Sequence, residues 1–445
     1  MSGFFKRAQN AKHKTKTLSF TNFSTLLSEK KKDTFSAISW TNCDCADGLL
    51  KFGVGIKSYD IDLLDVDEFF IFDSYFGLGP FYGAFYDGAY YRYNDDPSKP
   101  IGFGYRQDGL TNMKPFRVFA EDNNARLLAV GDKGVYIYDM GKDLFVPTII
   151  TAKVRTAIAW QSRIFCALDR CEIVYSSPLD PTDFMVSLDA GGTIYFPRDR
   201  GEIVAIEDLN GALYIFYERG IAKLTTAGSP KDFVWEPIGY AGGRILSNSA
   251  KNCGESIFFL AEDGAYRFDG RKAEKIAKDL LLSPQENGKC ACGVADGYYY
   301  AVYQDEQRGK SAVAIDCQTE SGFFFFTPSS FCFWHGQVFV SYNDQSGLLQ
   351  RGYTPPDGAL SYFTSDETDF SLRGLKRVKR ITLHGKGHYK ITLRSGEESE
   401  TFEERFTEKA VIYPLLRGEK FTISIELVNS CELRGLEVEA VALRE

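Results

Sequence analysis

Carboxylates are the side chains of this 445-residue chain with the clearest potential for chemistry. They concentrate in a run and a pair, namely Asp60, Asp62, Asp65, Asp67 and Glu68, and then Asp95 and Asp96. Two carboxylates about 5–9.5 Å apart can hydrolyse a glycosidic bond. The sequence does not give that separation, and a solvated acidic loop explains both stretches more simply. We predict no catalytic residues, so the chain is not expected to be an enzyme. A carbohydrate-binding or glycoside-hydrolysing protein is the alternative.

Histidine is scarce, and one pair of histidines has a spacing used by metal sites. His384 and His388 are four residues apart, which places two ligands on one face of a helix. Gly385 and Gly387 lie between them and predict a turn joining two strands instead. We therefore predict no metal ligands here.

The ten cysteines include two Cys-x-Cys pairs, Cys43 with Cys45 and Cys290 with Cys292. Structural zinc sites usually separate their paired cysteines by two to four residues. On a strand, both thiols of such a pair face the same side of the sheet. The pattern predicts free thiols packed in a core, without a bound metal.

Nucleotide-binding loops are also excluded. The segment Arg308–Ser311 ends like a phosphate-binding loop, but Gln304 occupies the position of its first glycine. The Gly53-x-Gly55 and Gly102-x-Gly104 pairs lack the third glycine of a dinucleotide fingerprint. We predict a turn at Arg308–Ser311 and no cofactor.

The elements that would carry any site are predicted to be strands. Phe, Tyr and Trp number 36, 25 and 4, beside 41 glycines, a mixture that favours short strands and tight turns. A hairpin of apolar run, glycine turn and alternating run recurs along the chain. Its turns fall at Gly88, Gly134, Arg170–Cys171, Gly220, Gly264, Gly309 and Gly347.

The intervals between these turns are 37–49 residues, close to the roughly 40–50 residues of a propeller blade. Each hairpin exposes an apolar face that a ring of such units would bury. We predict an all-β chain with a β-propeller of six or seven blades over residues 46–360; a series of β-sandwich hairpins is the alternative. After Pro355–Gly358, a separate, small sandwich-like β domain is predicted over residues 361–445.

Charge is distributed unevenly. Residues 1–32 hold eight basic residues and one acid, whereas the net charge of the whole chain is −8. We predict an extended basic arm over residues 1–45 that docks on an acidic neighbouring subunit; a solvated, disordered tail is the alternative. The candidate contacts of this arm are Lys6, Arg7, Lys12, Lys14 and Lys16. No secretory leader and no stable membrane insertion are expected, since the apolar segments are short.

One region resembles a known family. Tyr175–Phe184 reads YSSPLDPTDF, and it is followed by GGTIYFP at residues 191–197 and by NGALYIFYERGIAKL at residues 210–224. This succession resembles bacteriophage tail propellers, among them the packaged-DNA stabilisation, or tail nozzle, proteins of short-tailed phages. Residues 239–270 and the C-terminal segment resemble the same family more loosely. Phe184 stands where these proteins frequently have Trp.

The resemblance implies a structural subunit of a phage tail, which would retain and guide packaged DNA. It implies a homo-oligomeric ring in the virion, made in the host cytoplasm and joined to other tail or head-to-tail connector proteins. DNA would pass through the lumen of this ring without sequence-specific contacts. The net charge outside residues 1–32 is −15, which suits a lumen that repels phosphate.

Overall fold

A computed structural model describes residues 15–24, 34–45, 47–58, 63, 66–72, 81–92, 105–119, 124–169, 171–186, 191–226, 230–286 and 290–443. These residues form strands and two short 3-10 helices, Pro230–Asp232 and Lys278–Leu280, and no α-helix is found among them. The chain divides into two compact units. One is Gly55–Arg351, and the other combines Met1–Val54 with Gly352–Glu445.

The first described strands belong to the discontinuous unit. They are β1 (Thr15–Phe20), β2 (Asn22–Ser24), β3 (Thr34–Thr41), β4 (Cys43–Asp44) and β5 (Leu50–Phe52).

The unit Gly55–Arg351 is a seven-bladed propeller of four-stranded sheets. Its first strand is β6 (Val54–Ser58), which begins one residue before the unit does. Blade one consists of β7 (Glu68–Phe72), β8 (Phe81–Tyr86), β9 (Ala89–Arg92) and β10 (Tyr105–Asp108). Blades two and three are β11 (Lys114–Phe119), β12 (Ala125–Gly131), β13 (Gly134–Asp139) and β14 (Leu144–Pro147), then β15 (Val154–Trp160), β16 (Arg163–Leu168), β17 (Glu172–Tyr175) and β18 (Gly192–Tyr195). Blades four and five are β19 (Ile203–Leu209), β20 (Ala212–Tyr217), β21 (Gly220–Thr225) and β22 (Val234–Ile238), then β23 (Lys251–Asn252), β24 (Ile257–Ala261), β25 (Gly264–Phe268) and β26 (Ala273–Ile276). Blade six is β27 (Ala291–Ala295), β28 (Tyr298–Asp305), β29 (Gly309–Asp316) and β30 (Gly322–Phe325), and blade seven contains β31 (Ser330–Trp334), β32 (Gln337–Tyr342) and β33 (Gln345–Arg351).

The predicted hairpins are the middle two strands of the seven blades. Six of the seven predicted turn positions lie at the turn between the second and third strand of a blade. The seventh, Gly347, lies within β33, and the turn of that blade is at Asn343–Asp344. The propeller prediction is therefore confirmed, with seven blades. Arg308 is also in a turn, between β28 and β29, as predicted.

Blade seven closes the ring with a strand from the other end of the unit. Its sheet has the order β31-β32-β33-β6, so β6 supplies the outermost strand. On the inner side, the indole N–H of Trp334 donates a hydrogen bond to the Ile71 carbonyl of blade one at 2.6 Å. Phe69 of blade one packs edge-on against Phe339 of blade seven, with ring centroids 4.8 Å apart. The two ends of the propeller are thus joined both by pairing and by packing.

Aromatic and aliphatic side chains fill the spaces between neighbouring blades. One buried cluster joins blades seven, one and two, and others join blades two and three, three and four, and four and five. The blades in these clusters therefore bury faces that they could not bury alone.

The second unit is a single eleven-stranded sheet. Its C-terminal strands are β34 (Tyr362–Ser365), β35 (Lys376–Ser395), β36 (Glu398–Phe406), β37 (Lys409–Ile412), β38 (Arg417–Gly418) and β39 (Thr422–Ala442). The long strands β35 and β39 pair along most of their length, with four register shifts. The β34 and β1 strands pair with different parts of β39.

The prediction of an extended arm over residues 1–45 is wrong for the described part of that segment. Strand β1 pairs with β39 within the same chain, and β3 pairs with β34. Phe23 and Phe35 are buried, and Phe35 stacks on Phe363. Apolar residues at alternating positions make these segments sheet strands, so the N-terminal residues share one unit with the C-terminal domain. The predicted propeller boundaries, 46 and 360, become 55 and 351.

The turn predicted at Gly385–Gly387 is also wrong. Both glycines lie inside the continuous strand β35, where its pairing with β39 shifts register. Gly385 has a φ of 152°, and a Cβ atom there would lie 2.2 Å from the Glu432 carbonyl oxygen. The glycine allows two backbones to approach at a bulge, a role that sequence alone does not distinguish from a turn.

Candidate functional site

The first strand of every blade contributes to a central cavity of about 490 Å³. Because these strands are the innermost of their sheets, their side chains converge at the centre of the propeller. The wall combines apolar side chains with charged ones. The charged residues are Lys114 and Arg117 on β11, Arg155 on β15, Lys251 on β23, Glu68 on β7, and Glu207 and Asp208 on β19.

Lys251 and Glu207 form the most buried ion pair of this wall. The Lys251 ammonium donates a hydrogen bond to Glu207 Oε1 at 2.7 Å, and Glu207 is 9% exposed. Burial raises the pKa of Glu207 despite the neighbouring lysine. Burial opposes the charge of Lys251, but Glu207, with a contribution from Glu68, outweighs it and raises the lysine pKa. The pair links blades four and five and neutralises both side chains.

Arg155 is also paired. Its guanidinium lies 2.6 Å from Asp169 Oδ1 and 3.9 Å from Glu202 Oε2. Both acids lie outside the cavity wall, so this arginine is drawn away from the cavity centre.

Cys290 and Cys292 face the same cavity. The Cys292 thiol donates to the Asn248 carbonyl at 2.8 Å. Burial raises the pKa of Cys292 to about 11, with Lys251 acting in the opposite direction. Burial also raises the pKa of Cys290. Both thiols are therefore protonated at neutral pH, which makes them poor nucleophiles.

The structure places only part of the predicted acidic cluster. Glu68 lies in the cavity wall, beside residues that the sequence analysis did not single out. The backbone N–H of Asp67 donates to the Phe85 carbonyl at 3.0 Å. Asp60, Asp62, Asp65, Asp95 and Asp96 lie outside the described residues.

Of the basic residues predicted to contact a neighbour, only Lys16 is described. It lies on β1 opposite Ala440 of β39, in the sheet of its own chain. Lys6, Arg7, Lys12 and Lys14 lie outside the described residues.

The two histidines do not converge. His384 Nε2 lies 3.5 Å from Glu437, and His388 Nε2 lies 2.7 Å from Glu403. Across the described ranges, no group of three or more His, Cys, Asp or Glu side chains is arranged to hold a metal ion. All ten cysteines are thiols.

The motif that carries the resemblance forms a tightly bonded loop between β17 and β18. Asp180 accepts hydrogen bonds from the backbone and hydroxyl of Thr182 at 2.9 and 2.7 Å, and Ser177 N–H donates to the Asp183 carbonyl at 2.7 Å. Phe184 is 4% exposed in the cluster between blades two and three. A Cβ on Gly191 would lie 2.8 Å from the Phe184 carbonyl carbon, so the loop closes against its own strand.

The same segment displays apolar side chains to solvent. Leu179, Met185, Val186 and Tyr195 are 70, 67, 80 and 69% exposed. We call these four residues the blade-three apolar patch. Exposed apolar side chains that adjoin one another commonly mark an interaction site.

Sequence reasoning missed Lys114, Arg117, Glu207 and Lys251. A signal was present, because each is a charged residue in the first strand of a repeat. Aligning the seven repeats by their turns would have placed these charges at the centre of the ring.

Comparisons with known proteins show no match to a protein family or to a curated protein. Solved structures that resemble the chain include an extracellular domain assigned to a one component system of B. thetaiotaomicron, at 12% identity and a TM-score of 0.45. The alignment covers 91% of this chain, which spans 62% of the length of that domain. The N-terminal domain of Nup159 aligns at 10% identity over 67% of this chain and 95% of its own, with a TM-score of 0.40. The computationally designed protein Ika8 aligns at 9% identity over 67% and 98%, with a TM-score of 0.39. Within the described residues, no helix has the length and hydropathy needed to span a membrane.

Proposed function

We propose that the chain is a structural, non-catalytic subunit of a bacteriophage tail, a nozzle or hub component that assembles into a homo-oligomeric ring. The blade-three apolar patch carries this proposal. A loop fixed by Asp180 and by buried Phe184 keeps its apolar side chains exposed at a defined position, as a subunit contact requires.

The charged residues of the central cavity support a non-catalytic role. Glycoside hydrolysis needs one carboxyl group that donates a proton and a second one that is free to act as nucleophile or base. Glu207 is instead bound to Lys251 at 2.7 Å. The two neighbouring thiols are held protonated by burial.

Packaged DNA would pass through the lumen of the ring of subunits, not through one propeller. The centre of each propeller is a cavity of only about 490 Å³, walled by side chains from all seven blades. The net negative charge of the chain disfavours binding to phosphates, which suits passage without retention.

Complementation tests the proposal. A phage lacking this gene is supplied with wild-type chain, with the L179D/V186D double variant, or with L281D. Leu281 is the control because its exposure, 69%, is close to that of Leu179, 70%. We expect wild type and L281D in purified tails, and loss of at least about tenfold in occupancy for L179D/V186D, since buried charges oppose association. A wild-type chain absent from purified particles contradicts the tail assignment, and normal occupancy of L179D/V186D contradicts the role of the patch.

A further inference from the structure

Two of the cations that line the central cavity are not paired with a carboxylate in the described part of the chain. Four lysine or arginine side chains and three carboxylates line it. Lys251 is paired with Glu207, and Arg155 is paired with Asp169 and Glu202. Among the described residues, neither Lys114 nor Arg117 forms an ion pair.

Both unpaired cations come from the same strand, β11 of blade two. The Arg117 Nε atom is buried without a hydrogen-bond partner among the described residues. The Arg117 guanidinium lies over the ring of Phe119, 4.8 Å from its centroid. A stacked guanidinium keeps its in-plane N–H groups available for an anionic group.

Lys114 affects the far side of the cavity. Its charge opposes the rise in the pKa of the Cys290 thiol of blade six, although burial dominates. The charge of Lys114 therefore acts across the cavity. A buried donor without an acceptor costs free energy, which an anion at this position would recover.

The remaining wall limits what such an anion can be. The aromatic side chains Phe116 and Phe333 line the cavity, and Phe333 fits against Gly293, where a Cβ atom would lie 2.3 Å from its ring. Glu68 and Asp208 of blades one and four would repel a second anionic group. The volume, about 490 Å³, is within the range of small-molecule sites, about 300–1,000 Å³.

We propose that the central cavity binds a small organic anion with a single anionic group, with that group at Lys114 and Arg117 and an apolar, ring-sized body against the aromatic wall. Carboxylate and phosphate groups share the chemistry that these two cations recognise. The site is independent of assembly through the blade-three apolar patch.

Isothermal titration calorimetry of the full chain tests this with four probes: benzoate, phenyl phosphate, the neutral isostere benzamide, and terephthalate with two opposed carboxylates. We expect benzoate or phenyl phosphate to bind, and the one that binds identifies the headgroup. Benzamide should bind at least about tenfold more weakly, since each charge-assisted hydrogen bond contributes about one order of magnitude in Kd. Terephthalate should also bind at least about tenfold more weakly, because Glu68 and Asp208 repel its second carboxylate.

Two variants locate the site. K114Q/R117Q should weaken binding of the bound probe by about a hundredfold, one order of magnitude per cation. K133Q/R271Q removes two exposed cations from the propeller surface and should bind as wild type does. Because Lys114 and Arg117 form no ion pair within the described residues, K114Q/R117Q should melt no earlier than wild type. Failure of both anionic probes to bind, equal binding of benzamide, or unchanged affinity of K114Q/R117Q overturns the proposal.

Discussion

Among the described residues, the charged side chains of the propeller include ion pairs that join strands, and also two cavity cations, Lys114 and Arg117, that form no ion pair. Lys251 and Glu207 neutralise each other across blades four and five, and Arg155 is held by Asp169 and Glu202. A sequence contains the charges but not these pairings, because the partners come from different strands of the ring. The acidic run in the sequence includes Glu68, which lies in the cavity wall. Glu207 lies far from this run in sequence, and only the fold brings it to the same wall.

Asp132 provides a pH test at the residue scale. It accepts a hydrogen bond from Asn112 at 2.6 Å and lies 2.8 Å from the Lys153 ammonium, and these two contacts lower its pKa. A carboxyl group with a lowered pKa in the folded state stabilises above its unfolded pKa, about 3.9, and that stabilisation is lost as the pH falls through the folded pKa.

D132N should therefore lower the free energy of unfolding at pH 7 by about 0.5–1 kcal/mol, since the side chain is a third exposed. Urea denaturation should show the difference at pH 7 and a smaller one at about pH 3, below the unfolded pKa. D344N, at an exposed turn residue of blade seven, is the control and should show no difference at either pH. An equal effect of D132N at both pH values would contradict the electrostatic explanation.

At the element scale, the repeated hairpin could be predicted from the sequence because the turn and the strands that form it are encoded by neighbouring residues. Glycine turns such as Asp87–Gly88, with both residues at positive φ, join the middle strands of five of the seven blades. The pairing of β6 with β33, and that of β1 with β39, could not be read in this way. Each joins segments several hundred residues apart, and no local pattern specifies such a partner.

Gly347 tests the pairing that closes the ring. It lies in β33, and a Cβ atom there would lie 2.1 Å from the Lys57 carbonyl oxygen of β6. G347V should force these strands apart and lower the free energy of unfolding by about 2–3 kcal/mol. The change should appear as a lower melting temperature by calorimetry. G239V is the matched control, because nothing lies within 4 Å of a Cβ atom at Gly239. Equal melting of G347V and wild type would show that β6 is not needed for closure.

For the whole molecule, part of the N-terminal basic segment belongs to a sheet of its own chain. Residues 15–20 are a sheet strand paired with β39, so removing residues 1–32 would also remove β1 and β2. Such a deletion would expose Phe35 and an edge of β39. A loss of assembly could then result from unfolding as well as from loss of the inter-subunit contact. The proposed inter-subunit contact can be tested cleanly only on residues 2–14, which hold Lys6, Arg7, Lys12 and Lys14.

Deleting residues 2–14 should leave the melting temperature unchanged, because every described strand remains. In the complementation assay it should reduce tail occupancy, since four cations that could contact the acidic surface of a neighbouring subunit are lost. The K6Q/R7Q/K12Q/K14Q variant keeps the length and removes only the charge, so it separates an electrostatic contact from a steric one. If the contact is electrostatic, the quadruple variant should reproduce the deletion, and raising the salt concentration should weaken wild-type assembly in the same way. Normal occupancy of both variants would show that these four residues are not an inter-subunit contact, while leaving the apolar patch of blade three as the remaining candidate for ring assembly.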